Sequence, residues 1–272
     1  MGSIAGPILL VGGGKMGSAL MQGWLEAGLP SDQAFLVEPD QAARDRLAAA
    51  GVATTVAAAS DLPSIKPRTV IVAVKPQVME TVLEGLTGLV GPDTLVVSIA
   101  AGKPIATFER AFGSAAPIVR VMPNTPSAIG KGMSVLCASP AVSSLQRQEA
   151  EALMSAVGDT AWIEDEEQMH AVTALSGSGP AYVFHMIEAM ADAGIAAGLP
   201  QDLARRLALR TVEGAGALAG SSDEDPSALR VNVTSPGGTT QAALEVLMAD
   251  DGLRPLLARA VAAAARRSRE LA

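Results

Sequence analysis

The chain has 272 residues, a formal net charge of −8 and 49% hydrophobic residues, enough for one large or two moderate domains that fold without staples. One cysteine, Cys137, excludes a disulfide framework, a CxxC redox pair and a cysteine-rich zinc site. The acidic balance and the lack of a transmembrane-length apolar run argue against nucleic-acid and membrane partners, and with no basic segment ahead of Ile8 the expected compartment is cytoplasmic.

From the start to about residue 163, short β-branched runs alternate with helical patterns. Strands are predicted at Ile8–Val11, Ala34–Val37, Thr69–Val74, Thr94–Ile99 and Ile118–Met122, with helices at Lys15–Ala27, Gln41–Ala50 and Gln77–Leu86. The strands are apolar throughout, as strands covered on both faces are, so the rhythm predicts a doubly wound parallel α/β sheet. Met133–Ala138 and Thr160–Ile163 read as added edge strands around a helix at Ser144–Val157. From Glu164 the strand signal stops. Helical patterns follow at Gln168–Leu175, Pro180–Gly198, Gln201–Ala219, Thr239–Ala249 and Arg254–Leu271, so residues 164–272 are expected to form an all-helical second domain. The acidic run Glu164–Glu167 marks the junction, where a helix N-terminus favours negative charge. Small residues in Ala189–Ala197 predict close helix packing, and a helical domain this small with such apolar faces is expected to complete its core in a dimer.

Gly12-Gly13-Gly14-Lys15-Met16-Gly17 follows the first strand and opens a helix. Its glycines permit a tight turn and close approach of backbone to a pyrophosphate, which the helix N-terminus would meet with aligned N–H groups. About 20 residues on, Glu38 stands at the end of the second strand, where an acid accepts hydrogen bonds from a ribose 2′-hydroxyl and repels a 2′-phosphate, favouring NADH over NADPH. Ala73-Val74-Lys75-Pro76 and Ala100-Ala101 lie at later strand ends, where such sheets bind ligands, and complete the candidate cofactor set. The turn Met122-Pro123-Asn124-Thr125-Pro126 after the last parallel strand reads equally as architecture.

Reactive side chains are scarce. The chain has two histidines, one tyrosine, and no lysine after Lys131. His170, His185 and Cys137 read as packing or surface residues, and no metal site is expected. Two stretches interrupt the helical half: Ser176-Gly177-Ser178-Gly179-Pro180-Ala181, and Asn232-Val233-Thr234-Ser235-Pro236-Gly237-Gly238-Thr239-Thr240. The second offers N–H groups at a helix N-terminus plus hydroxyls, an arrangement that suits a small carboxylate or serves as a plain capping loop.

Gly12–Gly17, Ala73–Pro76, Val121–Pro126, Ala174–Tyr182 and above all Val233–Thr240 resemble the pyrroline-5-carboxylate reductase family, in order and over nearly the whole chain. The resemblance implies an N-terminal Rossmann-type domain, 1–163, and a C-terminal helical substrate-binding and dimerisation domain, 164–272, in dimers or rings of dimers. It implies reduction of the C=N bond of L-1-pyrroline-5-carboxylate to L-proline with NADPH or NADH. It also places Asn232, Ser235, Gly238, Thr239 and Thr240 at the substrate, with Thr240 hydrogen-bonding the ring nitrogen. Many family members that use NADPH carry small hydroxyl residues where this chain has Glu38, and His170 stands where an acid is common. A related imine reductase is a neighbouring reading. A β-hydroxyacid dehydrogenase shares the two-domain plan but needs a lysine in its helical half, and a non-catalytic dinucleotide sensor would not need the Pro236–Thr240 loop.

Overall fold

A computed structural model describes residue 4 and residues 6–272. In chain order, β1 (Ile8–Val11), α1 (Lys15–Glu26), β2 (Ala34–Val37), α2 (Gln41–Ala49), β3 (Thr54–Val56), β4 (Thr69–Val72), α3 (Met79–Leu86), β5 (Leu95–Ser98), α4 (Ile105–Phe112) and β6 (Ile118–Met122) form alternating strands and helices. β7 (Gly132–Ala138), α5 (Ser144–Ser155) and β8 (Gly158–Trp162) extend them. The eight-stranded sheet has the order β3-β2-β1-β4-β5-β6-β7-β8. β1 to β6 are parallel, but β7 runs antiparallel to β6 and β8 parallel to β7, so the sheet is mixed rather than wholly parallel. The reason is local: the short turn after Met122 returns the chain directly, without the crossover that a parallel neighbour requires.

Strand alternation explains the two-sided core. Ile8 and Leu10 of β1 join Leu36, Ile71, Val97 and Trp24 on one face. Leu9 and Val11 join Phe35, Val70, Val72 and Phe108 on the other. Trp24 is fully buried, and its indole N–H donates to the Leu153 carbonyl at 2.8 Å, tying α1 to α5.

The remaining elements are helical: α6 (Met169–Val172), a π-helical segment at Thr173–Gly177, α7 (Gly179–Ala196), α8 (Gln201–Ser221), α9 (Pro226–Asn232), α10 (Thr239–Leu247) and α11 (Leu253–Glu270). By packing, residues 1–177 and 265–272 make one compact unit and residues 178–264 a second. Residues 166–177 group with the sheet although they are helical, because Met169 is buried in the sheet's core cluster. Within the first unit the end of α11 and the residues after it, 265–272, are held in two places. Ser268 Oγ lies 2.9 Å from His170 Nδ1, both residues buried, and a Cβ on Gly102 (φ +73) would come within 2.8 Å of the Leu271 carbonyl.

In the second unit α7 and α8 form a hairpin across Gly198 (φ +98). Small residues let them close: a Cβ on Gly194 would sit 3.2 Å from that of Ala204, and Ala191, Ala204 and Ala208 are buried. The large apolar side chains are not. Phe184, Leu207, Val246 and Leu256 all stand more exposed than buried or nearly so. Among the described residues no helix is long and apolar enough to cross a membrane.

The acidic run at the junction works at longer range than its sequence position suggests. Glu164 pairs with Arg147, and Asp165 caps the Glu167 N–H at 3.0 Å. Glu166 Oε1 accepts both from the buried Arg120 guanidinium, at 2.8 Å, and from the Ile105 N–H, at 2.9 Å. A single carboxylate from far along the chain therefore caps α4 and neutralises a buried charge.

Candidate active site

A cleft of about 1200 Å³ opens at the carboxyl ends of β1, β2, β3 and β4, where the strand order reverses between β1 and β4. Ligands bind at such a reversal in open α/β sheets. Gly12–Gly14, Glu38, Ala57–Ser60 and Ala73–Lys75 form its walls.

Two glycines of the turn are required sterically. Gly12 has φ +105, and a Cβ there would lie 2.6 Å from the Ala73 carbonyl oxygen. A Cβ on Gly17 would collide with the Gly12 carbonyl, so this glycine brings α1 against the turn. Gly14 is different: nothing lies within 4 Å of its Cβ position, and no side chain caps α1. The first N–H groups of α1 thus face open space, as an anion site at a helix N-terminus requires. These residues fit a dinucleotide pyrophosphate.

Glu38 is half-buried at the rim. Its Oε2 accepts the Gly13 N–H at 2.6 Å and its Oε1 the Asp40 N–H at 2.9 Å, so the carboxylate braces the glycine turn. Arg44 Nη1 donates to the carbonyls of Glu38 and Pro39, at 2.6 and 2.8 Å, and is committed to the loop backbone. Arg46 and Ser60 also line the cleft, two polar residues that sequence reasoning did not single out. Their signal was weak: Arg46 reads as one more surface charge on α2, and Ser60 follows β3, whose short run was not recognised.

The other candidate cofactor residues are placed as follows. Lys75 is exposed on the cleft wall with Ala73 and Val74, and Pro76 starts the turn into α3. Met16 packs against the core beneath α1, while Lys15 is exposed at its start. Ala100 is buried in the sheet's core and Ala101 is exposed after β5; neither lines the cleft.

In the second unit the stretch 232–240 joins α9 to α10. Gly237 takes φ +70, its N–H donating to Gln241 Oε1 at 2.7 Å, and the Gly238 N–H donates to the Ser235 carbonyl at 3.0 Å. Pro236 has no N–H. The donors that no side chain caps are therefore those of the first turn of α10, beginning at Thr239 and Thr240. Thr240 is half-buried, and Asn232 donates from Nδ2 to Glu224 at 3.0 Å. Ser235 and Thr239 are exposed and Gly238 is the N-cap of α10.

His185 is exposed beside Glu188, at 3.2 Å. Cys137 is buried, and burial pushes its thiol above the ordinary range. Among the described residues, no three His, Cys, Asp or Glu side chains gather to hold a metal ion.

A sheet in this order, with the glycine turn at the switch point and an acid ending β2, defines a Rossmann-type dinucleotide-dependent oxidoreductase. The family described as pyrroline-5-carboxylate reductase dimerisation matches residues 166–271, and that described as NADP oxidoreductase, coenzyme F420-dependent, matches residues 7–102. The pyrroline-5-carboxylate reductase of Pseudomonas aeruginosa is 42% identical over 266 residues, covering 97% of this chain and 96% of that protein. The solved pyrroline-5-carboxylate reductase of Coxiella burnetii superposes with a TM-score of 0.92 at 35% identity, covering 98% of each chain. That of Plasmodium falciparum, solved with NADP bound, gives 0.84 at 30% identity and 99% of each chain. The chain belongs to the pyrroline-5-carboxylate reductase family. A 3-hydroxyisobutyrate dehydrogenase, at 17% identity and a TM-score of 0.54, shares only the fold.

Proposed function

We propose that the chain reduces the C=N bond of L-1-pyrroline-5-carboxylate to give L-proline, using NAD(P)H. The observation that carries this reading is the open glycine turn ahead of an uncapped α1, in a chain that matches reductases of this family end to end. The bound dinucleotide supplies the hydride. A protonated cyclic imine already accepts hydride readily, so the chain's residues need only bind, orient and steady a proton.

In this reading Gly12, Gly14, Lys15, Met16 and Gly17 hold the pyrophosphate end. Ala73–Pro76, Ala100 and Ala101 flank the rest of the cofactor. The N–H groups that open α10 take the substrate carboxylate, with Asn232, Ser235, Gly238 and Thr239 around it. The Thr240 hydroxyl hydrogen-bonds the ring nitrogen; being a poor acid, it assists and does not donate its proton outright. Thr240→Ala should lower kcat at least about tenfold while leaving NADH affinity unchanged, and an unaltered kcat would remove Thr240 from the mechanism. Wild-type protein should consume NAD(P)H only when pyrroline-5-carboxylate is added; cofactor binding without turnover would mark a sensor instead.

The Glu38 carboxylate, held in place by two backbone N–H groups, supports NADH over NADPH, because a 2′-phosphate beside it would meet a fixed negative charge. Arg46 on the cleft wall is the group that would favour the opposite choice. Fluorescence titrations with both cofactors decide: tighter NADH binding that Glu38→Ser diminishes supports the first reading, and tighter NADPH binding overturns it. The exposed apolar side chains of the second unit support self-association as a dimer or a ring of dimers, which sedimentation velocity would read directly.

A further inference from the structure

The Met-Pro-Asn turn after β6 and the pair Ser176-Gly177 are far apart in sequence and meet within the first unit. Asn124 is at the join. Its Oδ1 accepts the Met133 N–H at 2.8 Å, which fixes the orientation of the amide. The Nδ2 group then faces Ser176, at 3.3 Å from Oγ and 3.4 Å from the carbonyl oxygen. Beside it, a Cβ on Gly177 would collide with the terminal methyl of Met122. Met122 and Asn124 therefore grip consecutive residues of the π-helical segment Thr173–Gly177.

A π turn is an uncommon backbone state that persists only where its surroundings hold it, and such turns concentrate at functional sites. This one is held at the carboxyl edge of the sheet, beyond the end of β6, the last strand of the parallel run. That edge is where bound ligands react in such sheets. An amide N–H directed at Ser176 Oγ also leaves that hydroxyl to act as a donor on its other side.

We propose that Asn124 is a positioning residue for the reduction: its amide sets the π turn and the direction of the Ser176 hydroxyl. The proposal rests on the reductase reading above. Its leverage is geometric, since an error of about 1 Å in a hydride-transfer arrangement lowers the rate roughly a hundredfold.

Asn124→Asp is the informative variant. It keeps the oxygen that accepts the Met133 N–H and replaces the donor by a carboxylate oxygen facing the Ser176 carbonyl. The variant should lose at least about tenfold in kcat, with the Kd for NADH, read by fluorescence, unchanged and the melting temperature close to wild type. Its deficit should narrow as the pH falls toward the carboxyl pKa, because a protonated carboxyl can donate as the amide does. Ser176→Ala should also lower kcat, and the double variant should be no worse than the poorer single one. An Asn124→Asp enzyme with wild-type kcat, or one whose kcat, cofactor affinity and melting temperature fall together at every pH, overturns the proposal. Wild-type protein that fails to turn over pyrroline-5-carboxylate would instead overturn the reductase reading, and the proposal with it.

Discussion

The glycine turn assigns opposite consequences to two adjacent-looking substitutions, Gly12→Ala and Gly14→Ala. At Gly12, φ is +105, and an added Cβ would lie 2.6 Å from the Ala73 oxygen, 2.8 Å from its carbonyl carbon and 3.1 Å from Val74 Cγ1. The backbone conformation alone strains alanine by about 1–3 kcal/mol. Two of the three close atoms are backbone of a central strand end, so the crowding adds about 1–3 kcal/mol. The sum, about 2–6 kcal/mol, corresponds to a melting temperature lower by roughly 5–20 °C. At Gly14, φ is −64 and the Cβ position is open. Loss of a glycine N-cap costs up to about 1 kcal/mol, so the midpoint should fall by no more than about 4 °C. The new methyl group instead occupies the space in front of α1, and NADH binding should weaken about tenfold or more. Circular-dichroism melts and fluorescence titrations on the same two preparations separate the effects. A Gly12→Ala protein that melts with wild type would refute the steric account, and normal NADH binding by Gly14→Ala would refute the anion site.

Glu166→Gln should destabilise more than Arg120→Met. The first leaves a buried guanidinium without its counter-charge, at about 3 kcal/mol, whereas the second removes the charge and leaves a half-buried carboxylate still bonded to the Ile105 N–H. Urea midpoints would show it, and the reverse order would contradict the assignment. Burial, with Glu166 as the lesser cause, raises the Cys137 thiol, so the folded chain holds that proton to higher pH than the unfolded chain does. Stability from this group is complete below the pH where a free thiol ionises and declines above about pH 9. Cys137→Ala should flatten that alkaline decline in chemical denaturation, and native protein should resist iodoacetamide at pH 8.5 until it is unfolded.

The sheet's central strands were legible because Ile8–Val11 and Ala34–Val37 are apolar on both alternating faces, which only a doubly covered strand tolerates, and Ile118–Met122 is apolar but for Arg120. Thr54–Val56 was not legible: it is a three-residue edge strand whose side chains are all half-exposed. α4 escaped notice for another reason. It is short, contains the poor helix formers Thr107, Phe108 and Phe112, and takes its N-terminal acceptor from Glu166, far along the chain. The direction of β7 is decided by the length of a turn and has no hydropathy signature. The position of Glu38 could be read from its distance past the glycines, but its grip on the Gly13 N–H could not. The same holds for 232–240, where the motif stands out while the internal use of the Gly237 and Gly238 N–H groups emerges only from coordinates. Long-range polar pairs such as Asn124 with Ser176 leave no periodic trace.

The seat of the last turn of α11 bears on how the protein can be handled. With the Leu271 carbonyl against Gly102, and Ser268 against His170, any segment appended after Ala272 emerges next to the loop that follows β5. Affinity tags, fluorescent fusions and immobilisation through that end would press on Ala100–Gly102. A surface tether or purification handle is better placed on the exposed stretch 113–115, ahead of β6 at the amino ends of the strands, so that measured constants report the enzyme and not its attachment.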